Sequence, residues 1–380
     1  MSLKSRREYL GQIRGRYQRA GRIYKRQILN EFCANCGYER KYALKLLHGQ
    51  RGVRTGRHWG RKKVYEPKEL LPALKQVWLA SEQPCSKRLV AALPLWLAHL
   101  PAVAPEIKGQ LLSLSASTID RLLRPVRAKL GPKGRCTTKP GTLLKKQIPI
   151  RTEHWDVTRP GFIEADTVAH CGSSMEGEYV WTVTLTDIHT GWTCLRALWG
   201  RGSAGVLAQI RDIEQSLPFP ILGFDCDNGA EFLNHHLVRY FQKRSMPVGF
   251  TCSRPYRKND NAHVEQKNWM TVRQLLGYER FEQPALVPLI NTLYRSCWEP
   301  LVNFYHPVCK LIHKERLGAR YRKRYDPAAT PAHRLLRHAE LTDEHRQPVL
   351  QAQGQNPYQL KRELERRLKS IFTQLRCPPF

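Results

Sequence analysis

Acid is scarce in this chain. Its 380 residues hold 32 Asp and Glu against 63 Lys and Arg, a net charge of +31. A surface that basic attracts polyanions, nucleic acid or an acidic membrane being the usual candidates. Long apolar runs are missing too. The most apolar stretch, Leu89 to Ala104, is broken by Pro94, His99 and Pro101. It also falls short of the ~20 residues a spanning helix needs, so no membrane partner is expected. The first thirty residues have cations but no apolar h-region, so no secretory signal is expected and the location reads as cytoplasmic. Among 11 Cys, only Cys33 and Cys36 form a C-x-x-C pair. His48 and His58 do not follow at zinc-finger spacing, so buried thiols are expected instead. What the chain does have is 41% hydrophobic residues, enough for at least one sizeable core, and a length that suits two or three units.

The positive charge is not spread evenly. Residues 1–150 carry a net +24, residues 151–290 a net −2, and residues 291–380 a net +9. Basic ends around a near-neutral middle suggest nucleic-acid-binding modules flanking a catalytic core.

The N-terminal 130 residues read as helical. Arg26 to Ala34 and Tyr38 to His48 have apolar residues at helical spacing and break at Gly37, the outline of a helix-turn-helix over about 25–48. Cys33 and Cys36 then belong to its core, and Arg40, Lys41 and Lys45 lie on the exposed face of its second helix, placed for phosphates or base edges. Arg51 to Lys63 interleaves Gly with cations, including Arg57, Arg61 and Lys62. It suits a linker lying along DNA or a solvated linker alike. A second helical unit spans about 67–130, from Pro67–Ala80 and Cys85–Leu100 to a helix N-capped at Ser117 that carries Arg121 and Arg124. Residues 131–155 form a Gly/Pro-rich linker.

From Gly161 the period changes. Gly161–Ala169, Tyr179–Asp187 and Trp192–Trp199 read as strands. A helix at Ser203–Ser216, a strand at Ile221–Cys226, a helix at Phe232–Lys243, a strand at Pro247–Cys252 and a helix at Asn261–Leu276 follow. The fold class is α/β with a mixed five-stranded sheet.

Acids inside apolar strands need a reason, because a buried carboxylate is costly unless it is hydrogen-bonded, paired or bound to metal. Asp166 lies in the first strand, Asp227 leaves the fourth into an Asn-Gly turn, and Glu265 opens a helix. If those elements are neighbours, three carboxylates meet, and such oxygen ligands suit hard divalent cations. Two such ions ~4 Å apart stabilise both the attacking and the leaving oxygen of phosphoryl transfer. Asp225 and Glu164 share faces with these acids by strand alternation, so spacing alone does not choose between Asp225 and Asp227. Asp187 reads as a turn cap.

EADT around Asp166, CDNGAEF from Cys226 to Phe232, and RPYRKNDNAHVEQKN from Arg254 to Asn268 resemble the catalytic core of DDE transposases and retroviral integrases. The similarity is greatest to bacterial insertion-sequence transposases with an integrase-type core, over roughly residues 155–290. It implies a ribonuclease-H-like core over 156–290, with Asp166, Asp227 and Glu265 as catalytic metal ligands for two Mg2+ ions, Mn2+ serving as a substitute. It also implies Asn261 and Asn268 as residues that orient the third helix or touch DNA, and Lys258 and Lys267 as phosphate contacts. The implied partners are double-stranded DNA, both element terminal inverted repeats and target, and further copies of the chain in a dimer or higher oligomer. The implied activity is cleavage and joining of DNA by a nucleoid-associated transposase. A nuclease that cuts without joining and a DNA-binding regulator with an inactive core remain alternatives. The tail reads as a basic linker at Arg320–Arg324, a capped helix ending at Leu336, and an amphipathic basic helix over Leu360 to Leu375, fit for DNA or protomer contact.

Overall fold

A computed structural model of the chain describes residues 1–49, 65–129, 158–226, 232, 235–245, 248–252, 266–318 and 320–377. It divides into two compact units, Met1–Val64 and Tyr65–Phe380. Among the described residues no helix is long and apolar enough to cross a membrane.

The first unit is three helices, α1 (Leu3–Arg19), α2 (Arg22–Cys36) and α3 (Arg40–Leu47). Apolar spacing located the second and third. It missed α1, whose many cations mask an inner stripe reduced to the buried Ile13 and Tyr17. Phe32, Ala43 and Leu47 are fully buried between the helices, Cys36 beside them, and Cys33 packs on the same cluster. Gly37 ends α2 with φ +66°, a conformation that favours glycine, and its amide donates to Cys33 O at 2.8 Å.

The second unit begins with α4 (Pro67–Ala80), α5 (Ser86–Leu97), α6 (Pro105–Leu112) and α7 (Ala116–Lys129). The cap of α7 is Ser115 rather than the expected Ser117: Ser115 Oγ accepts from Thr118 N at 3.2 Å. The sequence grouped these helices with α1–α3, but their apolar faces pack into the unit that holds the sheet. The Trp96 indole there donates to Tyr305 O at 3.1 Å.

The sheet consists of β1 (Phe162–Ala169), β2 (Val180–Asp187), β3 (Thr193–Trp199), β4 (Gly223–Cys226) and β5 (Gly249–Cys252) in the order β3-β2-β1-β4-β5. The first three are antiparallel neighbours, and β4 and β5 run parallel to β1. This is the expected ribonuclease-H-like arrangement. Asp187 closes the β2–β3 turn as expected, accepting from Thr190 N and Thr190 Oγ1, both at 2.6 Å, and from Gly161 N at 2.9 Å. Gly161 has φ +113°, and a Cβ there would meet Pro220 O at 2.6 Å, so only glycine allows β1 to start beside the lead-in to β4. Helices α8 (Ser203–Ser216) and α9 (His235–Gln242) connect the parallel strands.

Helix α10 (residues 266–276) contains a π-helical stretch, Asn268–Arg273. A long helix α11 (residues 286–305) follows, with π-helical segments Tyr294–Trp298 and Leu301–Tyr305. It covers the edge of β3. Asn303 accepts from Thr193 N and donates to Thr193 O, both at 2.9 Å. Asn291 does the same at Ala197, at 2.7 and 2.9 Å, and Glu299 accepts from Leu195 N at 2.7 Å.

The expected basic linker at Arg320–Arg324 is instead a strand. β6 (Leu311–Leu317) and β7 (Arg320–Tyr325) pair as an antiparallel ribbon outside the main sheet. Helix α12 (Pro331–Leu336) is capped as expected, by Thr330, and α13 (Asp343–Ala352) and the amphipathic α14 (Pro357–Arg376) complete the chain. The inner face of α14 buries Leu364 and Ile371.

Candidate active site

The strand register gathers acids and hydroxyls on one sheet face. Glu164 on β1 pairs with Thr186 on one side and Asp225 on the other, and Asp166 pairs with Thr184. Cross-strand partners share a face, so Glu164, Asp166, Asp225, Thr184 and Thr186 do too. Glu164 is buried, while Asp166 and Asp225 are half-buried. Thr251 Oγ1 donates to Asp225 Oδ1 at 2.6 Å.

Asp166 is held from two directions. Its Oδ1 accepts from Thr167 N at 2.7 Å, and its Oδ2 accepts from Asn268 Nδ2 at 2.6 Å. The second bond ties the start of α10 to the centre of β1 across 102 residues of chain. Sequence reasoning named Asn268 as a residue that orients its helix or touches DNA, and its amide touches the carboxylate. A partner so distant along the chain leaves no local signal.

Two buried oxygens beside Asp166, Thr184 Oγ1 and Asn268 Oδ1, have no hydrogen-bond partner among the described residues. Oxygen-rich surroundings with spare lone pairs fit a hard divalent cation better than a soft one. Among the described residues, however, no three His, Cys, Asp or Glu side chains stand close enough to hold a metal ion. Glu164, Asp166 and Asp225 therefore do not form a complete ligand set by themselves. Asp227 and Glu265 lie outside the described residues, as do Arg57, Arg61, Lys62, Lys258 and Asn261.

Lys267 departs from expectation. It is buried, 8% exposed, and its Nζ donates to Gly191 O at 2.9 Å rather than facing solvent. Burial, helped by the charges of Arg88 and Arg334, lowers its pKa to about 7. A side chain spent on a buried carbonyl is not available to a phosphate, so the contact expected of Lys267 is corrected. Arg40, Lys41 and Lys45 on α3 and Arg121 and Arg124 on α7 are exposed, and Arg40 donates to Asn30 Oδ1 at 2.6 Å.

A second charged cluster, which the sequence did not reveal, lies at β3. Arg196, 1% exposed, bonds Asp212 at 2.5 Å and Glu299 at 2.7 Å, and Arg295 adds a bond to Asp212 at 2.5 Å. Burial raises the Glu299 carboxyl against the pull of Arg196, whereas at the more exposed Asp212 the two arginines outweigh burial and lower it. A pocket opens here, and no residue of β1 or β4 lines it.

No family model matches the chain. An uncharacterized protein of Sinorhizobium fredii, y4rM, is 36% identical over 338 residues, covering 87% of this chain and 95% of that one. Among solved structures, the catalytic core domain of BIV integrase is similar at 15% identity, over 30% of this chain and 68% of that one, with a TM-score of 0.24. The HTLV-2 integrase catalytic core domain, solved in complex with magnesium, is similar at 15% identity, over 39% of this chain and 90% of that one, with a TM-score of 0.29. The fold stands on strand order and register rather than on scores this low.

Proposed function

We propose that this chain, which belongs to the family of the uncharacterized Sinorhizobium fredii protein y4rM, is a DDE-type DNA transposase of a bacterial insertion sequence. The observation that carries this reading is the β1–β4 register. The two strands run parallel and in step as far as Ala165 and Cys226, the residues that immediately precede Asp166 and Asp227. The Asn268–Asp166 bond supports the third position, because Asn268 follows Glu265 by three residues.

Asp166, Asp227 and Glu265 are the residues that would hold two Mg2+ ions, or Mn2+ in their place. Bound there, such ions stabilise the attacking and leaving oxygens of an in-line displacement at phosphorus. Asp166 is oriented for that task by Asn268 and the Thr167 amide, two neutral donors that fix its direction. Water displaces the element's 3′ oxygen from one phosphodiester, and that 3′-OH then displaces a 3′ oxygen of the target. Each step forms one P–O bond and breaks another, so no covalent protein–DNA bond and no outside energy source are required. In this reading α2 and α3, joined by the turn at Gly37, act as a helix-turn-helix that recognises the terminal inverted repeats through Arg40, Lys41 and Lys45. Joining two ends calls for at least two protomers.

The test incubates the full chain with Mg2+ and duplexes taken from the DNA flanking its gene, and reads cleaved and joined strands on a gel. Asp227→Asn and Glu265→Gln should abolish both products while DNA binding stays largely intact. Strand transfer retained by either variant refutes the assignment.

A further inference from the structure

The β6–β7 ribbon has more charge than a strand pair needs for its own stability. Residues 311–325 contain six Lys or Arg and one Glu. Lys314 sits directly opposite Lys323, a like-charge pairing that destabilises a strand pair. An isolated two-stranded hairpin is marginal in water. This one is held at its base. Asp326 accepts from Lys310 N at 2.5 Å and from Arg334 Nη2 at 2.8 Å, and Val308 and Ala329 exchange backbone bonds of 2.9 and 3.1 Å.

The two faces differ. On one, Lys314 Nζ lies 4.6 Å from the centre of the Tyr321 ring, and Arg316 Nε donates to Gly318 O at 3.2 Å. The other carries Arg320, Arg322 and Arg324, alternate residues of β7, all exposed, opposite Leu317, Glu315 and His313 of β6, so that three arginines face a single acid. Among the described residues no ion pair engages these three. Alternate strand residues lie roughly 6.7 Å apart, a step comparable with that between successive phosphates on a DNA strand. A guanidinium fork matches phosphate oxygens in pairs. A two-stranded ribbon also fits the major groove, about 12 Å wide.

We propose that the Arg320–Arg322–Arg324 face of this ribbon grips the backbone of double-stranded DNA without reading its sequence. The proposal rests on the transposase reading for its choice of DNA as the polyanion.

The full chain and the triple variant Arg320→Gln, Arg322→Gln, Arg324→Gln are titrated with a linear duplex of arbitrary sequence. EDTA is present, so binding alone is read, and the salt concentration is varied. Three lost phosphate contacts should shrink the slope of log K against log salt by about 2.7. Affinity at ~100 mM salt should fall by roughly tenfold or more, since each such contact releases counterions. The triple Lys314→Gln, Arg316→Gln, Lys323→Gln makes the same charge change on the opposite face and should move the slope by less than about one unit. Lysine at all three arginine positions should keep the slope, which separates lost contacts from lost folding. An unchanged slope in the arginine variant overturns the proposal, and so does an equal loss in both triples. It is also overturned if the arginine variant alters only self-association in sedimentation, since the ribbon is then a protein contact. A wild-type chain that binds no duplex overturns the transposase reading as well, whereas catalytic failure with normal binding leaves the ribbon proposal standing.

Discussion

At the β3 edge the carboxylates of Asp212 and Glu299 enclose a buried arginine, whereas on β1 and β4 an amide, a backbone N–H and a hydroxyl hold Asp166 and Asp225. Both clusters belong to one sheet. The first trades charge for charge and so serves to hold the fold. In the second, the three named donors are neutral groups that set direction. Removing a residue from each should therefore damage different properties.

The largest separation is expected between Asp166→Asn and Arg196→Met. The first should remove several kcal/mol of transition-state stabilisation, a loss of roughly 1,000-fold or more in cleavage, with the unfolding midpoint nearly unchanged. The second leaves Glu299 and Asp212 facing a lost partner and should cost about 3–5 kcal/mol of stability in denaturant unfolding. Its cleavage rate at low temperature should survive. If both variants lose activity and stability together, the two clusters are one site and the contrast is void.

A smaller effect should come from Asn268→Ala. With the Asp166 carboxylate still present but no longer oriented, cleavage should slow by about 10- to 100-fold, the range seen when residues that orient metal ligands are lost. Thermal unfolding provides the control, since a drop in melting temperature matching that of Arg196→Met would make Asn268 a structural bond only.

The smallest effect concerns buried neutral groups away from both clusters. His306 is stacked on Trp96, and burial lowers its pKa from 6.5 to about 3, the charges of Arg88, Lys361 and Lys267 adding to the effect. The unfolded chain takes up that proton near pH 6.5 and the folded chain does not, so stability declines as pH falls from about 6.5 toward 3. His306→Phe removes the difference and should move the acid-unfolding midpoint, followed by circular dichroism, to lower pH. A midpoint that stays put or rises counts against the buried neutral ring.

The sheet was legible because its strands obey simple patterns. Tyr179–Asp187 and Trp192–Trp199 are β-branched and aromatic, and Ser203–Ser216 is a helix with its expected bounds because Gly202 and Pro218 fence it. Other elements were hidden for identifiable reasons. In α1 the cations dilute the helical period, and β6–β7 has too few apolar residues to read as strands and is fixed by Asp326 and Arg334 from beyond its ends. At the site, Asp166 was legible as an acid out of place in an apolar strand. Its Asn268 partner and the burial of Lys267 were not, because both depend on how α10 lies against a strand about a hundred residues earlier.

The capped margin of β3 has a consequence for assembly. A bare strand margin is an invitation to another strand, and copies of a chain commonly stick together there. Asn291, Glu299 and Asn303 occupy the positions an incoming backbone would need, so along β3 the sheet cannot be lengthened by a neighbour. Any contact between copies of this chain along that margin must be built from side chains, where a substitution can tune it without endangering the sheet.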